Sequence, residues 1–395
     1  MRELKIAVAG AGIGGLAVAA GCAWTGHEVT VFDRFDAPAP VGSGLVIQPV
    51  GQAVLDWLGA MTPARAMGAQ IYEMRGHEAE NGRPVLNVRY GPHGGGRFGL
   101  AIHRAALFDA LLAAARSAGA DLRPGHSVTR TQGGRLWFEN KAAAGPFDLV
   151  VNATGAGSVL SPLVAKPLPY GAVWATVDWP DTTLPRDALR QVYRRADRMI
   201  GVLPIGQVPG AAGRKAAIFW SLPTQGHDAW LARGLDVWRA EAASLWPDFA
   251  PFAAQITDPG QMTMARYSHG TLANPVADRL AHIGDAAHRA SPQLGQGANM
   301  ALLDAQALVL ALDHSRGDVP LALSQYRRAR RWHVRVYQGM SRAFTPQYQS
   351  DSRWLPVLRD RLLFPLSQVP PVPRLLTRLV CGDMLPPLGT LQVGS

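Results

Sequence analysis

The sequence predicts an α/β fold: a three-layer unit around a parallel sheet, an antiparallel sheet laid over it, and helices at the C-terminus. Three observations carry that expectation. The chain opens with an apolar run, a glycine turn, an Ala-rich stretch and a second apolar run ending at Asp33. From Leu168 to about Tyr267 the pattern changes to short, aromatic-rich segments of strand character. A second glycine-rich turn, from Gly284 to Gly297, leads into a long apolar helix.

The opening stretch organises the rest. Ile6 to Ala9 reads as a buried strand, and Gly10-x-Gly12-x-x-Gly15 follows it. An apolar helix then runs to about Trp24, and the strand Val29–Phe32 ends at Asp33. Strand, glycine turn, helix, strand and acid in that order form the Rossmann-like dinucleotide fingerprint. Gly10 permits the tight turn, Gly12 lets a pyrophosphate approach the backbone, and Gly15 lets helix and strand pack closely. Ile13 and Gly14 supply N–H groups at the positive end of the helix. Asp33, followed by Arg34, stands where a ribose diol would lie. The motif alone leaves FAD and NAD(P) both open.

After Asp33, Pro38 to Pro49 reads as an ordered loop, and a helix follows from about Gly51 to Leu58. Residues Ile71 to Leu100 alternate polar and apolar, with breaks at Gly82 and Gly94–Gly96, as strands of an inserted sheet do. Ile102 to Leu112 starts a helix with an apolar stripe, and Ser127–Thr131, Arg135–Glu139 and Asp148–Asn152 read as strands. In the aromatic-rich stretch, strands are expected at Ala172–Asp178, Arg190–Arg195, Met199–Pro204 and Ala216–Leu222, with one helix over Asp228–Leu245. Leu280–Ile283 is a further strand, and a helix runs from Gly297 to Leu312. The tail after Thr345 is rich in Pro, Leu and Arg and is expected to form short helices.

Composition narrows the function classes. Hydrophobic residues make up 48% of 395 and charged residues 17%, enough for a large core and against wholesale disorder. No apolar run is long enough to span a bilayer, and the N-terminus enters a strand directly, so neither a membrane span nor a cleavable signal is expected. Cys22 and Cys381 offer neither metal spacing nor a disulfide framework, which fits a cytoplasmic protein without metal. The net charge of +10 is carried almost wholly by arginine. Its densest cluster, Arg327 to Arg335, has helical spacing and reads as a solvated helix face, and no nucleic-acid module accompanies it.

Gly284-Asp285 follows a strand, so Asp285 can reach a ribityl or ribose hydroxyl beside a pyrophosphate. The backbone from Pro292 to Gly297 can lie close to a flat ring, and the helix starting at Gly297 points its positive end there. Reduced flavin carries negative charge at its N1/C2=O edge, which a helix N-terminus stabilises.

Gly10-x-Gly12-x-x-Gly15, His103-Arg104-Ala-Ala-Leu107, and Gly284-Asp285-Ala-Ala-His288 with Pro292, Gly295, Gly297 and Asn299 together resemble the class A FAD-dependent aromatic monooxygenases, the para-hydroxybenzoate hydroxylase-like flavoproteins. The resemblance spans nearly the whole chain. It implies a discontinuous FAD-binding domain (1–70, 101–165 and 277–345), a substrate-binding sheet domain (71–100 and 166–276) and a helical tail (346–395). It implies that Asp33 holds the adenosine ribose, Arg104 the phosphate region, Asp285 the ribityl–pyrophosphate end and Val128 the adenine through its backbone. Pro292, Gly295, Gly297, Ala298 and Asn299 would lie against the isoalloxazine. The chemistry implied is reduction by NAD(P)H, reaction with O2 to a flavin C4a-hydroperoxide, and hydroxylation of a small aromatic substrate. Pro292 would lie near the reacting oxygen, and His288 is the nearest candidate for a base or a hydrogen-bonded neighbour of the flavin. Tyr193, Met199 and Trp220 are candidates to line the substrate pocket, and Arg198 and Arg266 to meet an anionic substrate. Monomer and homodimer both stay open.

One segment departs from the family pattern. Where an Asp-Gly pair ending in Arg is usual, this chain has Thr154-Gly155 and Ser161. A neutral Thr hydrogen-bonds but gives no ionic anchor. FAD binding is expected to survive, and direct reduction by NAD(P)H to be slow. The same departure keeps a second function open, an oxidase or reductase on this fold that inserts no oxygen.

Overall fold

The structure is a computed structural model describing residues 2–36, 43–91 and 96–391. A parallel sheet lies at its centre, in the order Leu280–His282, Leu149–Asn152, Lys5–Ala9, Glu28–Phe32, Asp121–Arg123, with Val276–Ala277 antiparallel at one edge. Strand alternation sorts its residues. Ile6 and Val8 join the core under the helices Ile13–Trp24, Arg104–Ser117 and Gly297–His314, whereas Ala7 and Ala9 face a small sheet built from Val128–Gln132, Arg135–Phe138 and Ala143–Ala144. Both faces are covered, which is why these strands read as continuous apolar runs.

The antiparallel sheet has eight strands, in the order His288–Arg289, Thr263–Thr271, Lys166–Asp178, Lys215–Pro223, Arg198–Gly206, Ala188–Arg194, Glu73–Glu78, Pro84–Arg89. One of its pairings, Ala188–Arg194 with Glu73–Glu78, is parallel. Its far face carries Trp220, Ile200 and Val192 and is covered by helices whose Trp238, Phe249 and Phe252 complete a separate core. Its near face, with Leu203, Ile205 and Ala217, packs on the first domain through Val46, Tyr90 and Ala101. A Cβ at Gly44 would come within 2.3 Å of Ile205 Cγ2, so the two domains meet at close range there.

Several elements differ from the expectation. The helix expected over Asp228–Leu245 is two helices, His227–Arg233 and Leu235–Leu245, because Gly234 between them has φ +82°. Gly44–Ile47 is a strand rather than loop; it pairs with Gly99–His103, a partner distant in sequence. Pro38–Gly42, Gly94 and Gly95 lie outside the described residues. A short helix, Met61–Met67, adds to the expected elements.

The basic cluster lies on the helix Val319–Tyr348. Arg327, Arg328, Arg331 and Arg335 are exposed as expected, but Arg330 is only 2% exposed and points into the protein. Short helices follow at Leu355–Leu358, Phe364–Ser367 and Val372–Cys381. Cys22 and Cys381 are free and buried. Among the described residues no metal-binding group forms, and no helix is long and apolar enough to cross a membrane.

Candidate cofactor and substrate site

The glycine turn sits at the C-terminal end of the Lys5–Ala9 strand, the usual ligand-binding edge of an open parallel sheet. Gly10 has φ +102°, which favours glycine. A Cβ at Gly15 would stand 1.9 Å from Gly10 O, so the helix presses directly on the turn. Gly12 is the opposite case. A Cβ there meets nothing within 4 Å, its φ of −75° suits any residue, and no side chain caps the helix it begins. Exposed backbone, open space and a helix N-terminus together suit a pyrophosphate. Gly14 is packed inward against Ile283 and Ala301, and Ile13 is half-buried beside the turn. Asp33 Oδ2 accepts from Ala11 N at 2.6 Å and Oδ1 from Phe35 N at 3.0 Å, which holds the carboxylate beside the glycine turn. Arg34 is exposed, its guanidinium 4.8 Å from the Phe35 ring. Arg104 opens a helix capped by His103 Nδ1, and its side chain is exposed. Val128 is buried beside Phe32, paired with Phe138.

The second turn stands at the same edge. Gly284–Ala286 is a single 3-10 turn after Leu280–His282, and it leaves Asp285 exposed. Pro292–Leu294 forms another, ended by Gly295 at φ +59°. Pro292 and Gly297 are exposed, and Ala298 is half-buried. Asn299 is fully buried and its amide is fully used: Oδ1 accepts from Gln48 N at 2.8 Å, and Nδ2 donates to Gly295 O at 2.9 Å and Val46 O at 3.2 Å. It ties the loop, the helix start and the Gly44–Ile47 strand together, so its side chain shapes the site without facing into it.

Beneath the turn lies a charge cluster. Asp304 Oδ2 accepts from His288 Nε2 at 2.6 Å and from Gly284 N at 2.9 Å, and Oδ1 accepts from Arg330 Nε at 2.7 Å. Burial works to raise the Asp304 pKa, but the His288 and Arg330 charges and hydrogen bonds outweigh it and hold the carboxyl well below its usual range. His333 donates from Nε2 to Gly382 O at 2.8 Å. Burial and the Arg330 charge push its pKa down to about 3, so its Nδ1 carries no proton and accepts from Arg330. His288 is thus anchored in this cluster with its Nε2 proton committed to Asp304.

The near face of the antiparallel sheet is joined to the loop through Phe344, which packs against the clusters of both Tyr193 and Leu294. Tyr193 and Met199 pair on that face and pack with Phe219 and Tyr348. Trp220 does not join them, and its expected place in the pocket is corrected. Alternation sends it to the far face, fully buried against Trp238 at 6.2 Å between ring centroids. Arg198 is turned the same way, stacked 4.5 Å from the Trp220 ring and 3.4 Å from Glu241, so no anion meets it on the near face. Arg266 is exposed on Thr263–Thr271. Trp220→Ala is therefore expected to cost about 3–5 kcal/mol of stability, read as a lowered Tm, while leaving aromatic-ligand affinity of the folded protein unchanged. Phe219→Ala is expected to change that affinity.

Comparison with known proteins is consistent with this geometry. The FAD binding domain family matches residues 192–336. The chain is 27% identical to 3-amino-4-hydroxybenzoate 2-monooxygenase of Streptomyces cremeus over 350 residues, 82% of each chain. The chain is similar to the class A flavoprotein monooxygenases. Solved structures share the fold of this flavoprotein. The tetrameric form of 2-methyl-3-hydroxypyridine-5-carboxylic acid oxygenase superposes with TM-score 0.78 at 20% identity, covering 96% of this chain and 97% of the other. A single-site variant of Klebsiella pneumoniae HpxO, complexed with FAD, superposes with TM-score 0.76 at 23% identity, covering 92% and 98%. FAD is the cofactor of this flavoprotein, and the open backbone at Gly12 with the uncapped helix behind it fits its pyrophosphate.

The departing segment is held by hydrogen bonds in this flavoprotein. Thr154 Oγ1 donates to Asn152 Oδ1 at 2.7 Å, Asn152 Nδ2 donates to His282 Nδ1 at 2.8 Å, and Ser161 Oγ donates to Ala286 O at 2.6 Å. Neutral hydrogen bonds thus link this segment to the Asp285 turn. Sequence reasoning missed Asp304, which lies one helical turn beyond Met300 in the Gly297 helix; a charged residue in an otherwise apolar helix was a visible signal for it.

Proposed function

We propose that this flavoprotein is an NAD(P)H-dependent hydroxylase of a small aromatic substrate. The observation that carries the reading is the convergence of the open glycine turn and the Asp285–Gly297 loops at one sheet edge, with the aromatic near face of the antiparallel sheet joined to those loops through Phe344. Bound FAD would take electrons from NAD(P)H, react with O2 and deliver one oxygen atom to the ring, the other leaving as water.

In this reading the backbone N–H groups behind Gly12 bind the pyrophosphate, Asp33 accepts from the adenosine ribose, and Arg104 neutralises phosphate charge. Val128 contacts the adenine. Asp285 accepts from the ribityl chain. The helix starting at Gly297 presents its positive end to the flavin ring, with Gly295 and Ala298 beside it. Pro292, exposed at the start of its turn, would lie beside the bound flavin. Tyr193 and Met199, with Phe219, exclude water on the substrate side. His288 acts through Asp304 as a positioning residue.

The test is direct. The purified protein should be yellow, should bleach with NADH or NADPH in the presence of substrate, and should place one atom of isotopically labelled O2 in the product. Peroxide released in stoichiometric yield without labelled product would sink the hydroxylase reading in favour of an oxidase. Reduction without an aromatic substrate is expected to be slow, because Thr154 offers only neutral hydrogen bonds; stopped-flow bleaching that is equally fast with and without substrate contradicts that.

A further inference from the structure

The C-terminal stretch carries its polarity inside out. Leu355–Leu358, a π turn at Arg359–Leu363 and Phe364–Ser367 form one continuous helical run. Trp354, Leu358, Leu362, Leu366 and Val369 recur every three or four residues, so they line one helical face. That face points outward: Trp354 is 81% exposed, and the other four lie between 42% and 54%. The inward side holds a charge instead. Arg359 is 2% exposed, donates from Nε to Asp360 at 2.6 Å and from Nη1 to Gln347 O at 2.8 Å, and lies 5.2 Å from the rings of Tyr193 and Tyr348. These contacts fix which way the helix is turned. Nearly half of the large exposed apolar side chains among the described residues fall between Trp354 and Leu375. Such a concentration marks a surface that something covers.

The charges available around this face have one sign. Arg353, Arg361, Arg374 and Arg378 are exposed, and the first three form no ion pair among the described residues. The acids of the stretch are engaged: Asp360 holds Arg359, Asp383 holds Arg97 at 2.6 Å, and Asp351 accepts from the Tyr170 hydroxyl at 2.6 Å. A second copy docked here by a twofold axis would set the face against itself. Arg361, in the middle of the stripe, would then meet like charge with no free acid beside it. An anionic lipid surface suits both parts of the face. The aliphatic side chains enter the acyl boundary, the arginines reach back to lipid phosphates, and the Trp354 indole sits at headgroup level. No helix among the described residues is long and apolar enough to cross a membrane, so the contact is with its surface.

We infer that the outward face from Trp354 to Leu375 docks on an anionic lipid surface and lies in its headgroup region without crossing it. Leu358, Leu362 and Leu366 insert, and Arg353, Arg361 and Arg374 bind the phosphates. The inference does not depend on the hydroxylase reading.

The experiment mixes the full-length protein with vesicles and measures the fraction that co-sediments. Vesicles of phosphatidylcholine and phosphatidylglycerol in equal parts are expected to bind tenfold or more tighter than phosphatidylcholine alone. Leu362→Gln combined with Leu366→Gln leaves the net charge as it is and is expected to weaken binding to the mixed vesicles tenfold or more. Both side chains are exposed, so the melting temperature should hold. Arg361→Gln is expected to weaken binding about fivefold, and it serves if the double variant does not fold. Arg331→Gln combined with Arg335→Gln, on the helix Val319–Tyr348, is the control for net charge and should weaken binding less than Arg361→Gln does. No binding, equal binding to both vesicles, undiminished binding by the Leu362 and Leu366 variant, or a larger effect at Arg331 and Arg335 would each overturn the inference. Sedimentation velocity covers the remaining occupant. A natural protein that dimerises, and that becomes monomeric on substitution of Leu362 and Leu366, assigns the face to a second copy and overturns the inference too.

Discussion

Gly12→Val is expected to yield a folded, colourless protein. The backbone at Gly12 is extended, so Val adopts it without strain, and a Cβ there touches no protein atom within 4 Å. The new side chain fills the space in front of the helix N-terminus where a pyrophosphate would lie, so FAD affinity should fall by at least a hundredfold. Gly15→Val is the control that separates fold from ligand. Its Cβ would stand 1.9 Å from Gly10 O, a backbone atom that cannot step aside, so the turn itself must break. The absorbance ratio at 450 and 280 nm reads FAD content, and thermal melts of the two apo-proteins read the fold. Apo forms are compared because bound FAD itself raises Tm. A Gly12→Val protein that stays yellow removes the phosphate role from this turn.

Asp304→Ala is expected to lose as much stability as Trp220→Ala. The substitution strands Arg330, 2% exposed, without its anion, and removes the acceptor shared by Gly284 N–H and His288. Breaking a buried ion pair from one side costs about 3–5 kcal/mol. Denaturant melts should show an unfolding free energy lower by that amount, with Asp304→Asn milder because the amide oxygen still accepts one of the bonds. The cluster also predicts the acid limb. The folded Asp304 pKa lies below its ordinary value of 3.8. Its contribution is therefore fully present above that value and is lost as pH falls from there toward the folded pKa. Stability of the natural protein should drop more steeply below about pH 4 than that of Asp304→Asn. Equal slopes would mean that the carboxylate is not held in its charged form by His288 and Arg330.

Legibility tracked how local the cause was. The glycine turn, its helix and Asp33 are consecutive in the chain, so spacing alone placed them, and the same holds for Asp285 and the Pro292–Gly297 loop. Trp220 went wrong for a different reason. The strand Lys215–Pro223 is apolar on both faces, since helices cover one and the first domain the other, so alternation carries no in-or-out signal there. Arg330 reads as one more arginine in a basic helix; what distinguishes it is Asp304 on a neighbouring helix, 26 residues away.

From the sequence alone came the order of elements and the glycine turn, because each depends on a few adjacent residues and their backbone geometry; the choice of a flavin came from the resemblance of two distant stretches, around Gly10–Gly15 and around Gly284–Asn299, to a known family. Tertiary structure alone decided which side of the sheet each aromatic faces and that Arg198 is turned away from the near face. Those are contacts between residues far apart in the chain. Only the packing of one layer on another brings them together, and no local spacing encodes it.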